Sequence, residues 1–274
     1  MSPQGNTLGR LVAPTLSTMQ RSRTLIAVPA FNEARTVDRV LRSVAAFGLP
    51  MLVIDDGSTD ETAAKVAGHP VELVRHAQNE GYGAVMRAIF AWSAHRDFDW
   101  VITMDCDDQH EPAFIPNFLR EIARDDVDVV SGSRYLTALP SDVAAPADRA
   151  AINRTMTAEI NELLGGAFER PLTDSFCGFK AYRVHACHAL RLTAAGYEFP
   201  MQFWVQAAAN RLRVREIPVV RIYLDVKRSF GNGLDDPTRR LAVYRSTLES
   251  EVERCAARLR YLLPTTCSVR GAAT

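Results

Sequence analysis

Three oxygen-bearing side chains stand at alternate positions of one short segment, at Asp105, Asp107 and Gln109. The segment directly follows an apolar run at residues 101–104, which has the composition of a buried strand. Alternation along an extended chain points the three side chains to one side, where neighbouring carboxylates raise each other's pKa unless a cation neutralises them. Hard divalent ions take oxygen ligands and keep positions for substrate phosphates, so the pattern predicts Mg²⁺ or Mn²⁺ here rather than a solvated acidic turn.

His110 borders this cluster, and the sequence leaves its role open. A histidine at such a place can bind the metal or act as a general base. It can equally orient one of the ligands or cap the turn.

The elements that must position these residues follow from the apolar pattern. Strand-length runs rich in Val and Ile alternate with helical patterns, and strands that are apolar on both faces belong to a parallel sheet covered by helices. We therefore predict an α/β fold with a single open, mostly parallel sheet flanked by helices. The predicted strands are residues 24–29, 51–55, 71–75, 100–104, 127–131, 177–182 and 215–223. The predicted helices run from Asn32 to Phe47, from a capping box at 58–61, over 84–95 and 149–164, and from about 236 to 263.

Two further strand ends carry polar side chains. Glu33 follows the first predicted strand, and Asp55 and Asp56 end the second. Open α/β sheets bind ligands beyond the carboxyl ends of their strands, so we expect these residues near the Asp105 segment. Helix capping is the alternative explanation for Glu33 and Asp56.

Composition narrows the class of protein. The 274 residues are 47% hydrophobic, and 32 Lys and Arg balance 32 Asp and Glu, so no global positive field favours a nucleic-acid partner. Five cysteines without a C-x-x-C pair suit a reducing compartment. No apolar run is long enough for a transmembrane segment. We expect a cytoplasmic protein with at most weak peripheral contact at the inner face of the membrane.

Five segments follow one another in a recognisable order. They are V-P-A-F-N-E (28–33), D-D-G-S-T-D-E-T (55–62), N-E-G-Y-G-A (79–84), D-C-D-D-Q-H-E-P (105–112) and G-S-R-Y (132–135). This series resembles the motifs of family 2 glycosyltransferases. Its D-x-D-x-Q-H-x-P and G-x-R-Y parts are similar to those of the polyprenol (dolichyl) phosphate mannosyltransferase branch.

The resemblance implies a GT-A fold, a GDP- or UDP-linked sugar donor and inversion at the anomeric carbon. It places the nucleotide base and ribose at Pro29, Phe31, Glu33 and Asp55 or Asp56, with Phe31 where tyrosine is common. It places the diphosphate and metal at Asp105, Asp107 and Gln109, and the acceptor phosphate at Arg134. The glycines of residues 81–83 either cradle a phosphate or form a tight turn into a helix.

The likeness continues less closely in the second half. Residues 174–183 resemble the D-T-x-S-G-F-R-x-x-R segment of the branch, with Cys177 and Lys180 where serine and arginine are usual. Residues 227–233 replace an R-x-x-G-x-S-K loop of the branch. Arg228 in this segment either closes over the donor diphosphate or belongs to an ordinary hinge loop.

The acceptor decides which further groups the reaction needs. A phosphate oxygen is ionised near neutral pH and requires positioning by Arg134 rather than a base. A hydroxyl requires a carboxylate base, for which Asp174 is the candidate. The sequence thus predicts a glycosyltransferase that moves mannose or glucose to a polyprenyl phosphate, with a soluble family 2 enzyme acting on a hydroxyl as the alternative. An intact D-x-D motif argues against a nucleotide-sugar binding module without catalysis.

The predicted domain organisation is a catalytic domain followed by one long helix. A mobile tail covers 1–22, the catalytic domain 23–235 (nucleotide half 23–135, acceptor half 149–235), the helix 236–264 and a second tail 265–274. The helix carries an apolar stripe that either packs on the domain or forms a seam between two copies. We expect a homodimer to which this helix contributes. The stripe consists of Leu241, Tyr244, Leu248, Val252, Cys255, Leu259 and Leu262.

Overall fold

Short apolar segments form the strands, and helices separate most of them along the chain. The computed structural model describes residues 23–223 and 233–260. In these residues the strands are β1 (Thr24–Ala30), β2 (Met51–Asp55), β3 (Glu72–Arg75), β4 (Trp100–Thr103), β5 (Val129–Ser133), β6 (Lys180–Arg183) and β7 (Val214–Pro218). The helices are α1 (Val37–Ala45), α2 (Thr62–Val66), α3 (Tyr82–His95), α4 (Ile115–Ile122), α5 (Ala147–Leu163), α6 (Val184–His188), α7 (Phe199–Ala209) and α8 (Pro237–Leu259).

The strands form one sheet in the order β3-β2-β1-β4-β6-β5-β7. β6 runs antiparallel to its two neighbours, β4 and β5, and the other strand pairs are parallel. The prediction of a mostly parallel α/β sheet flanked by helices is confirmed. The carboxyl ends of β1, β2, β4 and β5 consequently lie at one edge of the sheet, which we call the carboxyl edge.

Alternate residues of the central strands face two separate apolar cores, because successive side chains of a strand point to opposite faces. One core joins Leu25, Leu52 and Val101 to α3, α5, α7 and α8, and the other joins Ile26, Val53 and Ile102 to α1 and α4. Burial on both faces explains why these strands read as continuous apolar runs. It also fixes the strand register on which the carboxyl edge depends.

Two predicted helix starts are wrong. The helix expected from Asn32 begins at Val37, because Asn32 has a φ of 56° and its Oδ1 accepts the N–H of Thr59 at 2.9 Å. The expected capping box does not form either, since α2 begins at Thr62 and the Oγ of Ser58 accepts the N–H of Asn32 at 2.9 Å. The polar residues of both segments therefore join two loops instead of capping helices.

The long helix is present and packs on its own chain. Asp236 caps it by accepting the N–H of Thr238 at 2.8 Å, and Leu248 and Leu259 of the stripe are buried in the core beside α7. Tyr244 and Cys255 of the stripe are buried as well, which favours packing on the domain, whereas Leu241 and Val252 are only half-buried. The homodimer stays a prediction. Leu262 lies outside the described residues.

The two predicted halves contribute to the same sheet. β6 and β7 come from the range 149–235 and lie beside strands of the range 23–135. Both predicted tails and residues 261–264 lie outside the described residues. Within residues 23–223 and 233–260, no helix is long and apolar enough to cross a membrane.

Candidate active site

The loops after β1 and β2 are tied to each other at the carboxyl edge. The N–H of Glu33 donates to Thr62 Oγ1 at 2.7 Å, and Thr36 Oγ1 donates to Glu33 Oε2 at 3.0 Å. Glu33 is buried, whereas Phe31 exposes 40% of its surface beside it. Pro29 lies in β1 opposite Ile54 of β2. The result is a fixed carboxylate next to an exposed aromatic face.

Asp55 and Asp56 are both buried but have different surroundings. Asp56 accepts the N–H groups of Glu80 at 3.0 Å and Gly81 at 2.8 Å, and its Oδ1 lies 2.7 Å from His76 Nδ1. Asp55 Oδ2 forms an ion pair with Arg75 Nε at 2.9 Å, without a hydrogen bond from any described residue. Asp56 therefore holds the loop before α3, and Asp55 retains an oxygen that can accept a hydrogen bond.

The glycines before α3 are explained by close packing. Gly81 has a φ of 96°, and a Cβ on it would lie 2.5 Å from the carbonyl oxygen of Ala195. A Cβ on Gly83 would clash with the backbone of Ala194. These contacts support the tight turn into a helix over the phosphate cradle.

His110 holds the backbone of Asp105, the first acidic residue of the loop after β4. The N–H of Asp105 donates to His110 Nδ1 at 3.0 Å, and His110 Nε2 lies 3.7 Å from Asp105 Oδ2. Burial lowers the pKa of His110 to about 4, and its ring stacks on Phe179 with centroids 5.2 Å apart. Of the roles left open by the sequence, this geometry supports an orienting histidine.

The rest of the acidic loop is braced from two sides. The N–H of Gln109 donates to Asp107 Oδ1 at 3.1 Å, and Arg39 Nε donates to Asp108 Oδ1 at 3.1 Å. A Cβ on Gly178 would lie 2.6 Å from Asp105 Oδ2, so this carboxylate packs directly on the glycine backbone. The described residues contain no group of three or more His, Cys, Asp or Glu arranged for a metal. Two carboxylates and an amide fit an ion that completes its shell with phosphate oxygens.

Arg134 and Asp174, predicted for alternative acceptor chemistries, form one ion pair. Arg134 Nε donates to Asp174 Oδ2 at 2.7 Å and Nη2 to Oδ1 at 3.0 Å, while Nη1 donates to the hydroxyl of Tyr223 at 3.2 Å. Asn153 Nδ2 and the N–H of Cys177 also donate to Asp174 Oδ1. Burial alone would raise the pKa of Asp174, but the charge and hydrogen bonds of Arg134 lower it to about 2.

Sequence reasoning assigned no role to several groups around this pair. Glu216 of β7 accepts the N–H groups of Thr173 and Asp174 at 2.8 and 3.0 Å, and burial raises its pKa. The ammonium of Lys180 is buried and donates to the carbonyl of Cys177, and burial lowers its pKa. The available signal for Lys180 was its position within the predicted strand at residues 177–182, where a charged residue is unusual. Arg228 lies outside the described residues.

Known proteins share both the sequence pattern and the architecture. A sequence model described as Glycosyl transferase family 2 matches residues 25–191. An undecaprenyl-phosphate mannosyltransferase of Micrococcus luteus is 28% identical over 221 residues, covering 77% of this chain and 88% of that protein. A polyprenol monophosphomannose synthase of Mycolicibacterium smegmatis is 28% identical over 210 residues, covering 72% and 76%.

A solved structure supports the fold. Glucosyl-3-phosphoglycerate synthase from Mycobacterium tuberculosis, in complex with Mn²⁺, UDP and glucosyl-3-phosphoglycerate, matches with a TM-score of 0.67. The match covers 96% of this chain and 90% of that one at 19% identity. The predicted GT-A fold is confirmed. The motif series, the sheet with its acidic loop and these matches agree that the chain is a glycosyltransferase and belongs to glycosyl transferase family 2.

Proposed function

We propose that the chain transfers a hexose, mannose or glucose, from a GDP- or UDP-linked donor to a polyprenyl phosphate with inversion at the anomeric carbon. The relatives that act on undecaprenyl phosphate and polyprenol by name support this acceptor class. Such an acceptor would bring the protein to the inner face of the membrane as a peripheral enzyme. A cytoplasmic nucleotide sugar would then meet a lipid phosphate at the carboxyl edge.

The state of Asp174 is the observation that carries this proposal. A hydroxyl acceptor must lose its proton, and Asp174 was the candidate base. A carboxylate with a pKa of about 2 that already accepts hydrogen bonds from Arg134 and Asn153 is a weak proton acceptor at neutral pH. A phosphate acceptor needs no base, so Asp174 is assigned to holding Arg134 in place.

Arg134 would position the acceptor phosphate. Its Nε and Nη2 are used by Asp174, which leaves Nη1, beside the hydroxyl of Tyr223, as the nitrogen directed to the acceptor. The Arg134 side chain is already ordered before the acceptor binds, so a charge-assisted hydrogen bond from it can orient the attacking oxygen. The charge of buried Lys180 also lowers the pKa of Asp174.

The donor would lie along the loops after β1, β2 and β4. The exposed ring of Phe31 can stack on the base, with Pro29, Glu33 and the ion pair of Asp55 with Arg75 shaping the same edge. Asp56 would act through the loop that it holds. Asp105, Asp107 and Gln109 would hold Mg²⁺ or Mn²⁺, which when bound neutralises charge on the leaving diphosphate.

A hydroxyl-bearing soluble acceptor is the alternative function. The structural relative with glucosyl-3-phosphoglycerate shows that this fold accommodates such chemistry in another protein. In this chain the alternative would require a base other than Asp174 in its present ion pair. The two functions differ in the product, which is a lipid-linked sugar for a polyprenyl phosphate and a water-soluble glycoside for a hydroxyl acceptor.

Partition of a labelled product between solvents separates them. The protein is incubated with Mn²⁺, a polyprenyl phosphate and either GDP-[¹⁴C]mannose or UDP-[¹⁴C]glucose, and the mixture is extracted with chloroform and methanol. We expect label in the organic phase, and none with Asp107→Asn as the matched inactive variant. In a parallel incubation, 3-phosphoglycerate replaces the polyprenyl phosphate, and label that stays in water as a new glycoside of 3-phosphoglycerate would instead establish the alternative.

A further inference from the structure

A buried carboxylate of α8 lies outside the segment that the family model matches, residues 25–191. Glu251 exposes only 3% of its surface. It accepts hydrogen bonds from Gln202 Nε2 at 2.9 Å and from Arg254 Nε at 2.8 Å, and it also binds Gln206 Nε2. Two glutamines of α7 are therefore fixed by one residue of α8.

Gln202 carries the contact away from α8. Its Oε1 accepts the N–H of Thr193 at 2.6 Å and the N–H of Ala194 at 2.8 Å, and its Nε2 also donates to Thr193 Oγ1 at 3.0 Å. These bonds hold an irregular segment between α6 and α7 by its backbone. Gln206 Oε1 accepts the N–H of Arg191 at 3.5 Å, earlier in the same connection, but Gln206 makes no hydrogen bond to Thr193 or Ala194.

The same segment supports the start of α3. Ala195 O accepts the N–H of Ala84 at 3.2 Å, and Ala194 O accepts Arg87 Nη1 at 2.5 Å. Gly81, which packs on Ala195, donates its own N–H to Asp56 Oδ2. A continuous series of hydrogen bonds and backbone contacts thus runs from α8 to the acidic end of β2.

The start of α3 also packs on the same connection through an aromatic pair. Tyr82 stacks on Tyr197 with ring centroids 5.9 Å apart and planes 10° apart. Burial and the charge of Asp105 both raise the pKa of Tyr82. A shift of this turn would move the N–H groups of Glu80 and Gly81 that bind Asp56 at the end of β2.

We propose that Glu251 and Gln202 are positioning residues that hold the start of α3 against the donor site through residues 193–195, so that α8 sets the affinity for the nucleotide sugar. The assignment of a nucleotide to this edge rests on the proposed function. The hydrogen-bonded connection itself does not, and the test measures the two separately.

Two glutamines one turn apart provide a matched pair of variants. Gln202→Met and Gln206→Met each remove one hydrogen bond to Glu251 from the same helix, but only Gln202→Met releases Thr193 and Ala194. For Gln202→Met we expect faster amide exchange in residues 81–85 and a KM for the donor raised about threefold to tenfold, with kcat changed less. For Gln206→Met we expect a comparable fall in Tm with both readouts unchanged.

The outcomes distinguish a positioning role for Gln202 from a contribution to core stability alone. Equal changes of KM and exchange in the two variants, or faster exchange without a change of KM, would overturn the proposal. If the wild type uses neither GDP-mannose nor UDP-glucose, the proposed function fails. Amide exchange in residues 81–85 and calorimetric binding of UDP and GDP then still test whether Glu251 and Gln202 hold the start of α3. If Gln202→Met does not fold, Glu251→Gln replaces it, with Glu253→Gln at an exposed position as the control. Unchanged amide exchange in residues 81–85 of Glu251→Gln would then contradict the proposal.

Discussion

Asp174 receives Arg134 side-on, with Nε and Nη2 of the guanidinium each donating to a different carboxylate oxygen. The backbone N–H of Arg134 also donates to Asp174, at 3.1 Å, so both the side chain and the main chain of this arginine are fixed by one partner. The two residues are 40 positions apart, in the loops that follow β5 and precede β6. The pair therefore joins the last motif of the nucleotide half to the first of the acceptor half.

Acid should weaken this pair at a specific pH. The folded-state pKa of Asp174, about 2, lies below the ordinary value of 3.8, so its stabilising contribution is complete above about pH 4 and is lost as pH falls through 2. The contribution is roughly 2 kcal/mol. Asp174→Asn should be less stable than wild type at pH 7, and the gap should narrow on acidification. Urea unfolding at several pH values measures it, and a constant gap would contradict the assignment.

Arg134→Lys should impair use of the acceptor. Lysine keeps the charge but cannot make the two-bonded contact, so we expect acceptor binding to weaken by about 1.5 to 3 kcal/mol, with the KM for the donor little changed. Arg221→Lys is the matched control, because Arg221 packs on the same Tyr135 ring but binds Asp142. Steady-state kinetics with a polyprenyl phosphate distinguish the two, and equal acceptor KM values for wild type and Arg134→Lys would favour a soluble acceptor.

Asp107→Asn should abolish metal-dependent turnover while the protein stays folded. The residue lies beyond the end of β4 and outside the core, and removal of a ligand for the ion should cost a factor of about a thousand in rate. Exposed Asp97→Asn, before the start of β4, should remain active. Turnover is titrated with Mn²⁺ and Mg²⁺ for both variants. Full activity of Asp107→Asn in EDTA would refute the metal assignment.

Gly178→Ala should disturb Asp105 without a change in charge. The new Cβ would lie 2.6 Å from Asp105 Oδ2, so the carboxylate or the acidic loop must move. We expect the added methyl group to cost about 1 to 3 kcal/mol in stability or donor affinity. Because Asp105 is a predicted metal ligand, the variant should also need a higher Mn²⁺ concentration for half-maximal activity. Gly68→Ala, whose Cβ meets only Lys65 O at 3.3 Å, is the control. Identical Mn²⁺ titrations of both variants would show that the loop tolerates the methyl group.

Truncation at Asp235 should yield aggregated protein, because it uncovers the core that α8 closes. Tyr244, Leu248, Cys255 and Leu259 are buried there beside α7, and exposure of such a surface promotes association. Circular dichroism and light scattering check this outcome. A soluble, folded particle that contains as many chains as the full-length protein does would show that α8 neither completes the core nor contributes to a dimer.

The strands and the acidic loop were predictable because their signals are local. Apolar runs fixed the positions of β1, β2 and β4, and the family resemblance covered Asp105, Asp107 and Arg134. The helix starts predicted at Asn32 and Ser58 were wrong because the same polar residue types that cap helices also form hydrogen bonds between loops. Which of the two a residue does depends on whether another loop packs beside it in the folded protein. The pairing of Arg134 with Asp174 and the contacts of Glu251 depend on long-range packing that no local pattern contains.

The placement of β6 constrains the order in which the molecule can form. β4 and β5 are adjacent in the chain but separated in the sheet, and the space between them is filled only by residues 180–183. During synthesis, the nucleotide-half strands therefore emerge with an unpaired edge on β4 that must wait for a strand made some eighty residues later. A ribosome-bound or recombinant fragment ending near residue 135 should expose this edge and be captured by chaperones or self-associate, so the donor half should not fold stably without β6.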